Sequence, residues 1–302
     1  MIWIAIIIIL AVIAIGIGCE SIRENRVFQV TRYHIRSPKI TNGIRIAFIS
    51  DLHNRSYGVH NDKLLKAIEV QNPDLILIGG DMLVGRSSVE RFDEAVELVM
   101  ALAGRYPIYY ANGNHEQRMK EDLEAYGDMY ERYMKKLKGL GIHFLANQTE
   151  IILIKGQALQ ITALEIFYKC YTKGFNTEPF SPADMEQCIG KKKSRRYHIL
   201  LAHNPMYMET YKGWGADMIL SGHLHGGAVR IPCLGGIISP QMRLFPKYSG
   251  GHIEEEDMDI ITSRGLGSHS IPLRIFNVPE LVVIQLKGEY NETDTKEYPE
   301  KF

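Results

Sequence analysis

The sequence predicts an α/β domain carried behind an N-terminal membrane-spanning helix, and three observations predict it. Short apolar runs alternate with longer amphipathic ones from Ile44 onward. The chain opens on Met1 to Gly18, a stretch without a charged side chain. Asp, Asn and His recur where the apolar runs end. With 302 residues, 45% of them apolar and 23% charged, the chain can bury at least one full-sized core. Lys plus Arg and Asp plus Glu are both 35, so the cationic excess that general nucleic-acid binding needs is missing. The four cysteines, Cys19, Cys170, Cys188 and Cys233, are scattered without a CxxC, which encodes neither a disulfide framework nor a zinc ribbon.

A helix over Met1 to Gly18 is about 27 Å long at about 1.5 Å per residue, close to the hydrocarbon thickness of a bilayer. A cleaved signal peptide normally begins with Lys or Arg, and here only the α-amino group precedes the apolar run. Gly16 and Gly18 are small enough for a peptidase and Cys19 follows them, but a lipid-attachment site wants a larger aliphatic residue where Gly16 stands. An uncleaved single-pass anchor in the cell membrane is therefore expected, with cleaved or lipidated forms as the alternatives. Arg23, Arg26, Arg32, Arg36 and Lys39 follow the run and nothing comparable precedes it, which puts the main domain in the cytoplasm, with the external side as the alternative. The expected organisation is an anchor over 1–19, a juxtamembrane segment over 20–43 and the main domain over 44–302.

Ile44 to Ile49, Leu75 to Ile78, Ile108 to Tyr110, His198 to Ala202 and Met218 to Leu220 read as buried strands. Asp62 to Val70 reads as a helix with Leu64, Leu65 and Ile68 inward. Ser87 to Ala103 is helical by period, since Val89, Phe92, Val96, Val99 and Ala103 recur at spacings of three and four, and Pro107 stops it. Strand, helix, strand, helix, strand implies a βαβ sheet covered by helices. Glu150 to Ala163, Gly227 to Pro232, Asp259 to Thr262 and Leu281 to Leu286 are richer in strand and suggest a second sheet. The polar tail from Lys287 reads as a poorly ordered end. Residues 165–197 fit neither rhythm, carrying Phe167, Tyr168, Tyr171, Phe175 and Phe180 and then Lys191, Lys192, Lys193, Arg195 and Arg196. Local packing and a solvated loop account for them; as a lid insertion they would wall an apolar substrate tail and meet anionic head groups.

Reading each strand to its C-terminal end gives Asp51 and His53, Asp81, Asn114 and His115, His203, and His223 and His225. A lone histidine is more often a satisfied core or surface group, but ligands gather at the carboxyl ends of strands in open α/β sheets, so these loops can converge. Imidazole and carboxylate donors without thiolates suit Zn²⁺, Mn²⁺ or Fe²⁺, and seven such ligands exceed what one ion takes. Two divalent metal ions are implied. Asp81 is the natural bridge, because a carboxylate has two oxygens. Two aspartates against four positive charges leave a positive centre that attracts phosphate oxygens and lowers the pKa of bound water.

Ser50-Asp51-Leu52-His53, Gly80-Asp81, Gly113-Asn114-His115-Glu116, His203 and Gly222-His223-Leu224-His225 resemble the calcineurin-like metallophosphoesterases over roughly Ile44 to Leu286. His225-Gly226-Gly227, Leu244-Phe245-Pro246-Lys247-Tyr248 and Ser263-Arg264-Gly265-Leu266-Gly267 are similar to the membrane-associated bacterial branch of YkuE-like and YaeI-like phosphodiesterases. The resemblance implies a four-layer α/β/β/α sandwich. It also implies one metal on Asp51, His53 and His225, a second on Asn114, His203 and His223, Asp81 between them, Mn²⁺ favoured, and His115 acting on the scissile phosphate or leaving oxygen instead of binding metal. Ser50 stands where many members have Gly, Val84 where many have Asp and Ala228 where close relatives have Gln; no ligand is lost, but groups that select substrate differ. The function so implied is hydrolysis of a phosphodiester, phosphomonoester or pyrophosphate by a metal-bridging hydroxide, on a substrate that the anchor and the aromatic segment suggest is lipid-linked. The alternative is a non-catalytic, metal-stabilised, membrane-tethered binding scaffold.

Overall fold

The computed structural model describes residues 2–86, 90–172, 177–192, 195–227, 229–231, 234–239, 242–268 and 272–289. Phe175, Lys193, Ala228, Pro232, Cys233, Ser87 to Val89 and the tail beyond residue 289, all invoked above, lie outside them.

The apolar opening is helical. α1 runs over Ile2–Arg26, and its apolar stretch is exposed all round. The helix does not stop where the apolar run does: Ser21 and Glu24 are buried against the domain. Next comes β1 (Gln29–Arg36), inside the segment read as juxtamembrane. It pairs in parallel along β14 (Glu280–Lys287).

The first sheet has the order β1, β14, β2 (Ile44–Ile49), β3 (Leu75–Ile78), β4 (Ile108–Ala111) and β5 (Ile142–Leu145). The second has the order β12 (Gly251–Glu255), β13 (Met258–Thr262), β9 (Met218–Ser221), β8 (Tyr197–Ala202), β7 (Gln157–Leu164) and β6 (Gln148–Ile154). Three expectations change. Leu281 to Leu286 belongs to the first sheet, antiparallel to β2, because Val282, Ile284 and Leu286 fill the gap beside Ile46 and Phe48. His198 to Ala202 and Met218 to Leu220 are strands of the second sheet. Among the described residues of Gly227 to Pro232, Arg230–Ile231 is strand; it is β10, paired with β11 (Gly235–Gly236) in a separate ribbon.

Alternation explains the near-continuous apolar runs. In β2 and β3, Ile46, Phe48, Leu75 and Leu77 face the second sheet, while Ala47, Ile49, Ile76 and Ile78 face a helical layer. That layer holds α2 (Asp62–Gln71), α3 (Asp93–Leu102), α4 (Asn114–Glu121), the short α5 (Leu123–Tyr126) and α6 (Met129–Leu137). α3 begins at Asp93, later than the period suggests, with Asp93 and Glu94 in the first turn where the helix dipole favours them. Beneath the second sheet, Leu200, Ala202, Ile219 and Ile260 meet Met185 of α7 (Pro182–Ile189) and Met208 and Tyr211 of α8 (Met208–Trp214). The result is helices, sheet, sheet, helices. Residues 165–197 carry the crossover between the parallel strands β7 and β8, with α7 as its helix. Within it Phe180 is buried and Phe167 half-exposed.

Candidate metal centre

Parallel strands of both sheets point their C-terminal ends at one place. β2 delivers Asp51 and His53, β3 delivers Asp81, β4 runs into Asn114 and His115 at the start of α4, β8 delivers His203, and β9 delivers His223 and His225. The local backbone is unusual: Asp51 (φ 54°), His53 (φ 48°), Asp81 (φ 54°), His223 (φ 65°) and His225 (φ 51°) are all left-handed. Each such non-glycine residue is strained by about 1–3 kcal/mol, and the surrounding hydrogen bonds hold it there. Asp51 N–H donates to Gly80 O at 2.9 Å, and His53 N–H to Asp81 O at 3.1 Å. His115 N–H donates to Asp81 Oδ1 at 2.8 Å, and His223 N–H to Asp51 Oδ1 at 3.0 Å. Two glycines make room. A Cβ on Gly113 would stand 2.3 Å from Asp81 Oδ1, and one on Gly222 would stand 2.2 Å from Asp51 Oδ2.

Six of the seven candidate ligands, with His115, are brought together. His53 Nε2 and His225 Nε2 are 3.2 Å apart and lie 3.8 and 3.6 Å from Asp51 Oδ1. His203 Nε2 is 3.2 Å from Asp81 Oδ2, and His53 Nε2 is 3.7 Å from it. Three groups have donor atoms within 4.8 Å of one another: Asp51, His53 and His225; Asp81, His203 and His223; and His53, Asp81 and His115. Burial pushes the Asp51 carboxyl up, and Asp81 reinforces that despite His203. Burial also opposes ionisation of Asp81, but His203, His115 and His53 outweigh it and hold that carboxyl well below the usual carboxylate range. Burial would lower His203; the Asp81 carboxylate wins and lifts it to about 9. Concentrated buried negative charge of this kind draws cations.

Tautomers sort the histidines. His203 Nδ1 lies 2.7 Å from Gly79 O and His225 Nδ1 3.1 Å from Gly267 O. A carbonyl can only accept, so these Nδ1 atoms carry protons, and Nε2 is the nitrogen each ring turns toward the aspartates: a proton sits there on His203 while Asp81 is its partner, and a cation would take that proton's place. His115 is the reverse. Its Nδ1 faces two donors at 3.1 Å, Gly85 N–H and the Arg118 guanidinium. Nδ1 must therefore accept, and the neutral ring keeps its proton on Nε2. An Nε2–H cannot ligate a cation. Although His115 falls within one of the three groups, its hydrogen bonds make it a donor. Asn114 Oδ1 is buried and accepts no hydrogen bond, as a carbonyl oxygen awaiting a cation would be.

Sequence reasoning named Glu116 and gave it no task. Its carboxylate accepts from Asp81 N–H and Met82 N–H at 2.8 Å each, from Gly113 N–H at 3.0 Å and from Tyr110 OH at 3.0 Å, and so fixes the turn that carries Asp81. Burial, with Asp81 nearby, pushes Glu116 up; the backbone N–H groups hold it back. The Ser263 to Gly267 stretch also gains a role, because Gly267 O orients His225 and Gly267 N–H donates to Asp51 O at 2.6 Å. Buried Arg274 braces that stretch by donating to Arg264 O, Gly267 O and Asn277 O. Tyr171, from the crossover, sets its ring 5.2 Å from that of His223.

The calcineurin-like phosphoesterase pattern matches residues 44–227, more than half of the chain and every loop that carries a candidate ligand. The chain belongs to that family. Metallophosphoesterase YkuE of Bacillus subtilis (strain 168) is 26% identical to it over 278 residues, covering 90% of each chain. Phosphodiesterase YaeI of Escherichia coli (strain K12) is 28% identical over 276 residues, covering 90% of this chain and 93% of that protein. A metallophosphoesterase of Aquifex aeolicus (strain VF5) is 24% identical over 287 residues, covering 92% and 99%. The chain is a phosphoesterase hydrolase of the YkuE and YaeI branch.

Proposed function

We propose that this phosphoesterase is a membrane-anchored enzyme that holds two divalent cations, Mn²⁺ favoured, one among Asp51, His53 and His225 and one among Asn114, His203 and His223, with Asp81 shared. The reading is carried by the opposite ring orientations: carbonyls hold Nδ1–H of His203 and His225 so that Nε2 faces Asp81 and Asp51, while Gly85 N–H and Arg118 on Nδ1 of His115 leave that ring's proton on Nε2. When bound, such ions supply positive charge for phosphoryl oxygens and an acidified water. The chain's own residues do the rest. Gly85 N–H and Arg118 fix the His115 ring, whose Nε2–H donates to the leaving oxygen as the ester bond to phosphorus breaks. Glu116 keeps Asp81 in place, and Tyr171 walls the site beside His203 and His223.

For the substrate, a phosphodiester or pyrophosphate on a lipid is favoured by α1. Its apolar length, exposed all round, is stable only in a bilayer or against a partner. The arginines after it favour a cytoplasmic domain. Phe167 and Tyr168 flank an open groove of about 560 Å³, but Glu121, Glu165, Glu178 and Lys169 line it too, so it suits a polar group and not an acyl chain.

The test compares Asp81→Asn with His115→Ala by metal stoichiometry and steady-state kinetics. Asp81→Asn should lose metal and activity together. His115→Ala should keep both metals and lose roughly 10²- to 10⁴-fold in kcat with KM changed much less. Loss of metal from His115→Ala makes His115 a ligand; retained metal with near-full kcat removes its catalytic role.

A further inference from the structure

Among the described residues, exposed large apolar side chains of the domain are mostly scattered; Ile151 and Leu153 share the outward face of β6, and a larger group gathers elsewhere. Ile231 (37% exposed), Leu234 (68%), Met242 (65%), Leu244 (67%), Phe245 (57%) and Phe276 (63%) gather around the β10–β11 ribbon. Ile231, Leu234, Phe245 and Phe276 line one open cavity of about 540 Å³ there. Met242, Leu244 and Phe245 sit on a tight loop closed by Ser239 N–H to Arg243 O and Met242 N–H to Ser239 O, both at 2.9 Å. Three of these residues, Met242 (φ 64°), Phe245 (φ 47°) and Phe276 (φ 52°), hold left-handed backbone. Bulky residues adopt it at a cost of about 1–2 kcal/mol each. Strain that keeps apolar side chains exposed asks for an apolar environment outside the fold.

The position of the rim says which. Asn277, next to Phe276, donates its N–H to Glu24 Oε2 of α1 at 2.8 Å. Pro272 O, on the same loop, accepts from Ser21 Oγ at 3.0 Å and Asn25 Nδ2 at 2.7 Å. Ile275 O in turn accepts Arg230 N–H of the ribbon at 3.0 Å. Ser21 follows Gly18, where the apolar run ends, by three residues, or about 4.5 Å along the helix axis. The loop that carries Phe276 is therefore bonded to α1 about 4.5 to 10.5 Å beyond the point at which the helix leaves the hydrocarbon, within two turns and at head-group depth. Arg26 on the last turn of α1 and Arg243 within the rim loop offer cations to anionic head groups.

We infer that Ile231, Leu234, Met242, Leu244, Phe245 and Phe276 form an apolar rim that inserts into the interface of the bilayer holding α1, a reading that rests on the proposed anchor. The rim also reaches the site: Asn277 Nδ2 donates to His225 O at 2.7 Å, and Arg230 donates to Gly226 O at 2.9 Å. Docking it turns the His225 side of the site toward the membrane surface, where a lipid-linked phosphate lies.

The test uses the full chain in phosphatidylethanolamine and phosphatidylglycerol vesicles, with or without lipids dibrominated near the head group. Trp3 reports on α1, and Trp214 lies in the domain. Phe245→Trp and, separately, Leu244→Trp add a rim indole; Leu153→Trp, on β6 at the far edge of the second sheet, is the remote control. Taken as the difference from the parent, the added rim indoles should emit to the blue and be quenched by brominated lipid, and the added control indole should not. Rim indoles left unquenched while the parent's Trp3 is quenched overturn the rim and leave the anchor standing. Blue-shifted rim emission without quenching means protein covers the rim, which overturns it equally. If Trp3 too is unquenched, the anchor fails and the rim with it.

Discussion

His115, His203 and His225 at the centre of the site each have their ring orientation set by a hydrogen-bonding neighbour. His115 and His203 are the same side chain, yet Gly85 N–H makes Nδ1 of one an acceptor and Gly79 O makes Nδ1 of the other a donor, so their Nε2 atoms are set up differently. Glu116 shows what such a neighbour is worth. Its two oxygens accept four donors, three of them backbone N–H groups around Asp81 and Gly113. Glu116→Gln keeps the shape but places an amide NH₂ against N–H or O–H donors, leaving at least one buried donor unsatisfied at about 1–3 kcal/mol. We expect Glu116→Gln to weaken metal binding by roughly 10- to 100-fold, read by titration with Mn²⁺, and to lower Tm. Unchanged affinity and Tm would show that the turn around Asp81 does not need the carboxylate.

Elements differ in how plainly the sequence announces them. β2, β3, β4, β8 and β9 were legible because a strand buried on both faces reads as an unbroken apolar run, and the polar residue that ends the run is the one delivered to the site. β1, with the sequence QVTRYHIR, was not: its Arg and His residues read as the basic flank of an anchor, and only its pairing with β14 makes it a strand. Assigning β14 to the first sheet depends on a partner more than two hundred residues away, which local pattern does not carry. The seven ligand candidates and His115 were legible as residue types at strand ends; the tasks of Glu116, Arg274 and Gly267 were not, since each depends on contacts made only in the folded chain. One core element also carries a pH response. His198 of β8 is buried, with Nε2 2.7 Å from Thr162 Oγ1 and its ring against Trp214, and burial pushes it down to about 4. A depressed histidine favours the neutral form in the folded state, so between its unfolded value, about 6.5, and about 4 the unfolded chain binds the extra proton. Its contribution is complete above pH about 6.5 and is lost as pH falls. Denaturant melts at pH 7 and pH 5 should show the parent losing about 2 kcal/mol more than His198→Gln. Equal losses in the two proteins would mean that His198 titrates normally.

At the scale of the molecule, the site is a seam. Neither sheet holds a full set of ligand candidates, so the centre exists only when the two sheets are docked, and whatever binds there ties them together. Exhaustive chelation should therefore abolish phosphodiester turnover and also lower Tm, by roughly 10–20 °C if each of two ions normally saturates its site at about 100 times Kd. Full activity with metal shown to be absent would exclude the mechanism. Topology has its own measurement: in sealed inverted vesicles, added protease should degrade the domain, whereas protection, or an intact mass starting at Cys19, rejects an uncleaved anchor with a cytoplasmic domain. The order of strands in the first sheet bears on how the protein is made. β1 follows the helix directly, yet its partner β14 is the last strand described, and β14 also closes the open side of β2. At the ribosome's pace the interval between the two is roughly 12–50 s, during which a chain whose N-terminal helix can already be in the membrane carries two unpaired strand edges close to its surface. A message cut short before codon 280 would leave those edges open for good, so truncated products of this gene should be substrates for chaperones and proteases and not partly active enzymes.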